Sequence, residues 1–354
     1  MMPGKNVGVL QWFSKNTFHH SKFSDIDRLV ELKQRQGVKI SVGIPTLNEA
    51  VNLRDVIETL KFELYEKKQL IDEIAVIDSG SEDDTVALAE KAGAKVFVAE
   101  KHLKSEGAYF HKGENLWKSL HLLRGDIICW VDADITNIHP RFVSGLIGPM
   151  LENRGTGYVK SFFRRSVGTG NDVLEGEGGR VTEILARPMV NMFFPNLAGF
   201  IQPLSGQCAG RRKILEKVPF FTGYGVETGL LIDIERKFGL EAMAQVNLDE
   251  ISHRSQYTGV LGRMSFSLLQ VMVKRLPAVN AAAGKIGTTY LFPESDTESG
   301  EYFLNETEIR EAERPPIKGI REYRERKRMN KDTLAKIADF AREVRRNQRR
   351  NKTA

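Results

Sequence analysis

Apolar and polar positions alternate in blocks along the first 140 residues. "VKISVGI" (Val38–Ile44), "IDEIAVID" (Ile71–Asp78), "AKVFVA" (Ala94–Ala99) and "DIICWVDADI" (Asp126–Ile135) are short, mostly continuous apolar runs. Runs of that length bounded by polar turns read as buried strands. Between them, Val56, Ile57, Leu60 and Leu64, and later Leu116, Leu120 and Leu123, recur at helical spacing. In "SGSEDDT", Ser81 and Asp84 stand at capping-box spacing, with acids in the first turn of the helix expected to follow. Strands alternating with helices predict an α/β fold, a mostly parallel sheet covered on both faces.

Beyond Pro140 the pattern loosens. "YVKSFFRR" (Tyr158–Arg165) predicts another strand, "GEGGRVTEILARP" a glycine pair entering a helix, and "GVETGLLIDIERKFG" a helix stopped by Gly239. An amphipathic helix is expected over 259–275 and another, with a narrow apolar stripe, over 332–346. The division that follows is an N-terminal polar arm (1–37, with a short helix near 25–36), two halves of one domain (38–139 and 140–293), and a charged helical tail (294–354).

Charge sharpens the last boundary. The net charge is +6, yet Lys318–Ala354 holds 14 Lys/Arg against 5 Asp/Glu, which leaves the body slightly acidic. A basic tail can meet an anionic partner, although most charge runs are simply solvated. Cys129 and Cys208 are the only cysteines, too few for a disulfide framework or a zinc-type cluster, and a reducing cytoplasm is expected. No signal peptide is expected at the N-terminus. No stretch reaches the ~18 apolar residues of a membrane span.

Open α/β sheets bind ligands beyond the carboxyl ends of their strands. "PTLNE" (Pro45–Glu49), "DSGS" (Asp78–Ser81) and "DAD" (Asp132–Asp134) all fall there, so three distant segments converge on one edge. In a strand or tight turn Asp132 and Asp134 point the same way, and two such carboxylates can share a hard divalent cation that offsets charge on a departing diphosphate. Alone, the pair reads equally as turn acids. Asn48 and Glu49 offer groups for a nucleobase or ribose, and Asn48 equally a helix cap. Asp78 can accept from a base N–H, with the Ser79 and Ser81 hydroxyls beside it. "GGRVT" is an anion cradle: Gly178 and Gly179 let backbone amides approach, Arg180 grips a phosphate or carboxylate, and Thr182 donates a hydroxyl. Its plain alternative is a flexible turn with a surface arginine.

The order "PTLNE", "D-x-G-S", Asp-x-Asp resembles the nucleotide-sugar-dependent glycosyltransferases of GT-A fold. "NTFHHSKFSD", "FHKGENLWKSL", "VDADITNIHPRFV", "VKSFFRR", "GGRVTEILARP", "QPLSGQ", "GYGVETGLLID" and "AQVNLDEISHRS" are similar to the glucosyl-3-phosphoglycerate synthases, over roughly residues 10–275. The resemblance implies a retaining hexosyltransferase that moves glucose from UDP- or GDP-glucose to the 2-hydroxyl of 3-phosphoglycerate with Mg²⁺ or Mn²⁺. It implies that Pro45, Thr46, Leu47, Asn48, Glu49, Asp78, Ser79 and Ser81 hold the donor nucleoside. Lys112, Asp132 and Ala133 would lie against its diphosphate and sugar. Asp134 and His253 would ligate the metal, Glu227 would bind sugar hydroxyls, and Leu204–Gly206 would wall the sugar pocket. Two positions depart from the family pattern: Ile251 stands where an arginine is expected and Ser255 where an asparagine is expected. Mannosyl transfer, another phosphorylated acceptor, and a nucleic-acid-binding protein using the basic tail are the rival readings. The last leaves the strand-end acids unexplained, since they repel a polyanion. A homodimer, through 259–275 or the tail, is compatible with the pattern.

Overall fold

The computed structural model describes residues 7–169, 172–175, 179–252, 258–276, 286–295, 302–330 and 333. In chain order the strands of the main sheet are β1 (Thr17–His19), β2 (Ile40–Thr46), β3 (Glu73–Asp78), β4 (Lys95–Val98), β5 (Ile127–Trp130), β6 (Tyr158–Thr169), β7 (Asp172–Glu175), β8 (Cys208–Arg211), then, skipping a two-residue strand β9 (Phe220–Phe221) that lies outside the sheet, β10 (Met243–Ser252). Across the sheet they run β1-β10-β6-β8-β5-β2-β3-β4, with β7 paired to β6. All neighbours are parallel except β8, antiparallel to β5 and β6, and β7, antiparallel to β6. The sheet is therefore mostly parallel, as the continuous apolar runs predict, and it crosses the 139/140 boundary without a break.

Side-chain alternation splits the core. Ile127, Cys129 and Val131 join one cluster with Val42, Ile44, Val76 and the helices Ile26–Gln36, Leu53–Leu60 and Arg141–Glu152. Ile128 and Trp130 join a second with Ala75 and the helices Lys112–Leu122, Arg187–Phe193 and Val226–Phe238. The period of two in a strand produces this directly.

Both ends of the chain depart from expectation. Residues 7–36 are not a free arm. The helix Val7–Asn16 buries Trp12 completely, and its indole N–H donates to Met243 O at 2.8 Å. Strand β1 then extends the sheet edge, with Thr17 opposite Gln245. Trp12 is the one buried residue of this helix, while its Val7, Leu10 and Phe13 stay exposed, so no periodic apolar stripe marks it as a core element. The tail is likewise only partly a tail. Strand Thr289–Ser295 pairs antiparallel with Tyr302–Glu308, and Glu313–Arg314 pairs with β9. Ile317, Ile320 and Tyr323 are buried in the second core. Helix follows over 321–330. The predicted helix 332–346 lies outside the described residues but for residue 333. The amphipathic helix over 259–275 is found as Thr258–Lys274.

Candidate active site

The first two loops at the donor edge are zipped to each other. Asn48 takes a left-handed backbone (φ 56°), and its N–H donates to Ser81 Oγ at 2.8 Å while its Oδ1 accepts from Glu82 N at 2.9 Å. Glu49 N donates to Thr85 Oγ1 at 2.8 Å. Thr46 Oγ1 donates to Asp78 Oδ2, and Ser79 N to Thr46 O, both at 3.0 Å. The Asp78 carboxylate is buried and also accepts from Gly80 N, Ser81 N and Ser81 Oγ. Both its oxygens are thus engaged within the loop, so the geometry supports a shaping role for Asp78 rather than a base-reading one. Ser81 does not cap the next helix as its spacing predicts. That helix starts at Thr85, whose N–H is met by Asp83 Oδ1 at 3.0 Å. The Asp78 turn has captured the serine. Leu47 is exposed, Pro45 half-buried and Ser79 buried.

Strand β5 stops at Trp130, so Asp132, Ala133 and Asp134 ride a turn beyond it rather than the strand. Asp132 faces a built constellation. Its Oδ1 pairs with Lys112 Nζ at 2.6 Å, and Lys112 Nζ also reaches Glu227 Oε1 at 3.0 Å. Gln207 grips Asp132 from the other side: Nε2 donates to Oδ2 at 2.9 Å, and Oε1 accepts from the Asp132 N–H at 3.3 Å. Burial alone would push the Lys112 ammonium down, but Asp132 and Glu227 outweigh it and hold the group above the ordinary lysine range. Lys112 is therefore a fixed cation between two carboxylates.

Each partner has a reason to be there. Lys112 opens the helix Lys112–Leu122, preceded by His111 at φ 115°. The helix start abuts β9, where Glu114 N donates to Thr222 O at 3.0 Å. A Cβ at Gly113 would overlap Phe221 O and lie 2.8 Å from Thr222 C, so only glycine allows this approach. Glu227 lies in the first turn of Val226–Phe238, where a carboxylate suits the positive helix end. The loop Leu204–Gln207 is pinned from beneath by β6. Buried Lys160 donates to Ser205 O at 2.6 Å, Ser161 Oγ lies 2.7 Å from Ser205 Oγ, and Ser161 N donates to Gln207 O at 3.0 Å. Burial pushes the Lys160 ammonium below its ordinary value and the Tyr158 hydroxyl above it.

Gly206 lies over the constellation. A Cβ there would overlap Lys112 Nζ and stand 2.5 Å from Asp132 Oδ2. Gly206→Ala is expected to push the two apart and to lower kcat about 10-fold with the melting midpoint within about 3 °C, a loss below the range for deleting one charge-stabilising donor; steady-state kinetics beside a thermal melt measures both.

Asp134 sits on the same turn, its carbonyl accepting from Asn52 Nδ2 at 3.4 Å. His253 lies outside the described residues, as does Ser255. The strand leading to them is stapled beside the Asp134 turn: Thr136 N donates to Ser252 O at 3.1 Å, Ser252 N to Asn137 Oδ1 at 3.0 Å, and Asn137 Nδ2 to Glu250 O at 2.9 Å. Ile251 is buried in the first core, so its side chain takes no part in holding a ligand. In the "GGRVT" segment, Gly178 lies outside the described residues, Gly179 takes φ 97°, exposed Arg180 begins the helix and Thr182 is buried in it. Arg187 joins this helix to the segment before Leu204 by donating to Ile201 O at 2.8 Å.

The glycosyl transferase family 2 profile matches residues 41–218. The chain belongs to glycosyl transferase family 2. This transferase is 50% identical to the glucosyl-3-phosphoglycerate synthase of Petrotoga mobilis over 88% of its own length and 96% of the relative's. Its fold matches the crystal structure of mannosyl-3-phosphoglycerate synthase from Rubrobacter xylanophilus at a TM-score of 0.79 and 34% identity, over 88% of this chain and 99% of that one. It also matches glucosyl-3-phosphoglycerate synthase from Mycobacterium tuberculosis in complex with Mn²⁺, UDP-glucose and phosphoglyceric acid, at a TM-score of 0.74 and 36% identity, over 86% and 99%. No helix among the described residues is long and apolar enough to cross a membrane.

Gln207, Lys160, Glu114 and Arg314 are absent from the predicted site. Gln207 follows Gly206 in a polar "SGQ" between apolar runs, a signal that was there to read. Lys160 inside "YVKSFF" marks a buried strand lysine. Arg314 gives no local sign of its partner 200 residues away.

Proposed function

We propose that this transferase moves glucose from UDP-glucose to the 2-hydroxyl of 3-phosphoglycerate, with retention at the anomeric carbon. The observation that carries the proposal is Lys112 held between Asp132 and Glu227 at the strand ends. A fixed cation there suits a diphosphate leaving group, and oriented carboxylates suit sugar hydroxyls. The relatives' names supply the substrate class. The zipped loops of Pro45–Glu49 and Asp78–Ser81 would cradle the nucleoside. The Leu204–Gly206 backbone would wall the sugar. Gly179 and Arg180, at a helix start, would take the acceptor anions.

The donor set fits a hard divalent cation. Asp134 offers carboxylate oxygen on that turn, and the family resemblance assigns the second ligand position to His253. Such a cation, Mg²⁺ or Mn²⁺, supplies charge stabilisation to the diphosphate when bound. Asp132 is committed to Lys112 and Gln207, and the family resemblance assigns the ligand role to Asp134. Both carboxylates facing the sugar side, Asp132 and Glu227, are tied to Lys112, so neither is poised as a nucleophile. A front-face path follows. The anomeric C–O bond to the diphosphate breaks, the acceptor O2 bonds from the same face, and its proton passes to the departing phosphate oxygen. Cys129 and Cys208 are buried free thiols, which supports a reducing compartment.

Incubating the protein with UDP- and GDP-linked glucose and mannose, with and without 3-phosphoglycerate and with the metal omitted in parallel, tests this. Product is expected from UDP-glucose only with acceptor and metal present. Turnover of a mannosyl donor in preference would transfer the reading to the mannosyl reaction. Turnover without 3-phosphoglycerate would overturn the acceptor.

A further inference from the structure

We infer that His19, His20 and Asp249 form a second binding site, for a divalent transition cation of the zinc type, at the β1–β10 edge of the sheet. Their ligand atoms lie within 4.8 Å of one another. His19 Nε2 donates to Asp249 Oδ1 at 2.9 Å and His20 Nε2 to Oδ2 at 2.5 Å.

Local backbone irregularity builds this cluster. Consecutive residues in a strand point to opposite faces. Here β1 ends at His19, and His20 opens a 3₁₀ turn, His20–Phe23. The two rings therefore lie side by side, with centroids 4.5 Å apart and planes 35° apart. On the facing strand the β10–β6 register slips between Asn247 and Glu250, and Asp249 adopts φ 65°. Asn247 Oδ1 holds that conformation by accepting the Asp249 N–H at 2.9 Å. A left-handed non-glycine residue in a bulge is a costly way to aim one side chain, and such strain gathers at functional sites.

The donor set is selective. Two imidazole nitrogens and one carboxylate suit Zn²⁺ and leave a fourth position for water. Tetrahedral coordination needs donors about 3.3 Å apart; the carboxylate would open from its two hydrogen bonds while the ligand atoms, already within 4.8 Å of one another, draw in around the cation. The His19 and Asp249 side chains are 47% and 39% exposed, so solvent and a cation can reach them. Binding would put the two Nε2 lone pairs on the cation, each neutral ring then carrying its proton on Nδ1. In the metal-free site His19 Nδ1 accepts from Ser21 N at 3.2 Å; Ser21 Oγ, 2.8 Å away, is the group placed to accept the proton once it moves to Nδ1. The bound cation would tie the N-terminal edge strand to β10, the strand whose end is stapled beside Asp134.

The test is a zinc titration of the full chain against a chromophoric chelator, repeated with Co²⁺ read by its visible absorption. Two classes of site are expected, one lost in Asp134→Ala and the other in His20→Ala. Asp249→Asn keeps the size and an acceptor oxygen, and His19→Gln keeps a donor to Asp249. Both are expected to stay folded by circular dichroism and to weaken the second class at least 10-fold. Zinc should raise the melting midpoint of the Asp134→Ala protein and not that of an Asp134→Ala, His20→Ala protein. Unchanged stoichiometry and midpoint response in folded Asp249→Asn and His19→Gln would overturn the site and leave a simple hydrogen-bonded pair. Because the Asp134→Ala arm isolates this site, failure here says nothing against the transfer reaction.

Discussion

Lys112→Met is expected to lower kcat by about 10²–10³-fold, the range seen when one preorganised charge-stabilising donor is removed from a closed site. The side chain is unusual in being cationic, mostly shielded and bonded to two acids. Asp132 at 2.6 Å and Glu227 at 3.0 Å keep it charged throughout the working pH range. Without it, two carboxylates face each other and, on the proposed function, the incoming diphosphate with no fixed cation between them. Repulsion then acts most strongly where negative charge grows, on the leaving group, so kcat falls more than KM rises. Lys112→Arg is not a rescue. Gly206 already lies where a single Cβ would overlap Nζ, and a guanidinium is larger and planar. Steady-state kinetics over UDP-glucose, with a melt to show folding, decides it. A kcat within about 3-fold of wild type would remove Lys112 from the chemistry.

The contrast between Lys112 and its neighbours shows where the sequence was legible. The strand ends, the parallel sheet and the convergence of "PTLNE", "DSGS" and "DAD" follow from local periodicity, because each rests on a handful of consecutive residues. That Asp132 is gripped by Lys112 and Gln207 does not. It depends on Trp130 ending the strand, on Gln207 from β8's approach, and on Lys112 arriving from a helix seated against β9. The short helix near 25–36 is found as Ile26–Gln36, whereas the anchoring of residues 7–19 rests on one buried tryptophan and a three-residue edge strand, which leave almost no periodic trace. The Ser81 capping box failed because a buried acid, Asp78, competes for the same hydroxyl at 2.5 Å. Local signatures were outbid wherever a long-range partner was stronger.

The C-terminal segment yields the second large effect. Arg314→Ala is expected to destabilise the protein by about 3–5 kcal/mol, the range for stranding one partner of a buried ion pair. Arg314 binds the fully buried Glu114 in a two-pronged pair, Nε and Nη2 each at 2.7 Å. Its guanidinium also donates to Glu106 O and Gly107 O and lies 4.6 and 4.9 Å from the Tyr109 and Trp117 rings. Lys118 reaches the same carboxylate at 3.2 Å but cannot replace a bidentate fork. Glu114 stands two residues from Lys112, so the loss should reach catalysis as well. Glu311 does the matching work opposite, accepting from Gly223 N and Gly225 N at 3.1 Å just before Glu227. Residues 311–314 therefore strap together the two helix starts that carry Lys112 and Glu227, and the tail's first function is mechanical. In urea unfolding, Arg314→Ala should shift the midpoint strongly. Glu114→Gln added to it should recover part of the loss, since the stranded charge is then gone. A single-variant loss below about 1 kcal/mol, the scale of an exposed pair, would mean the strap is solvated and the helix starts are held by their own packing.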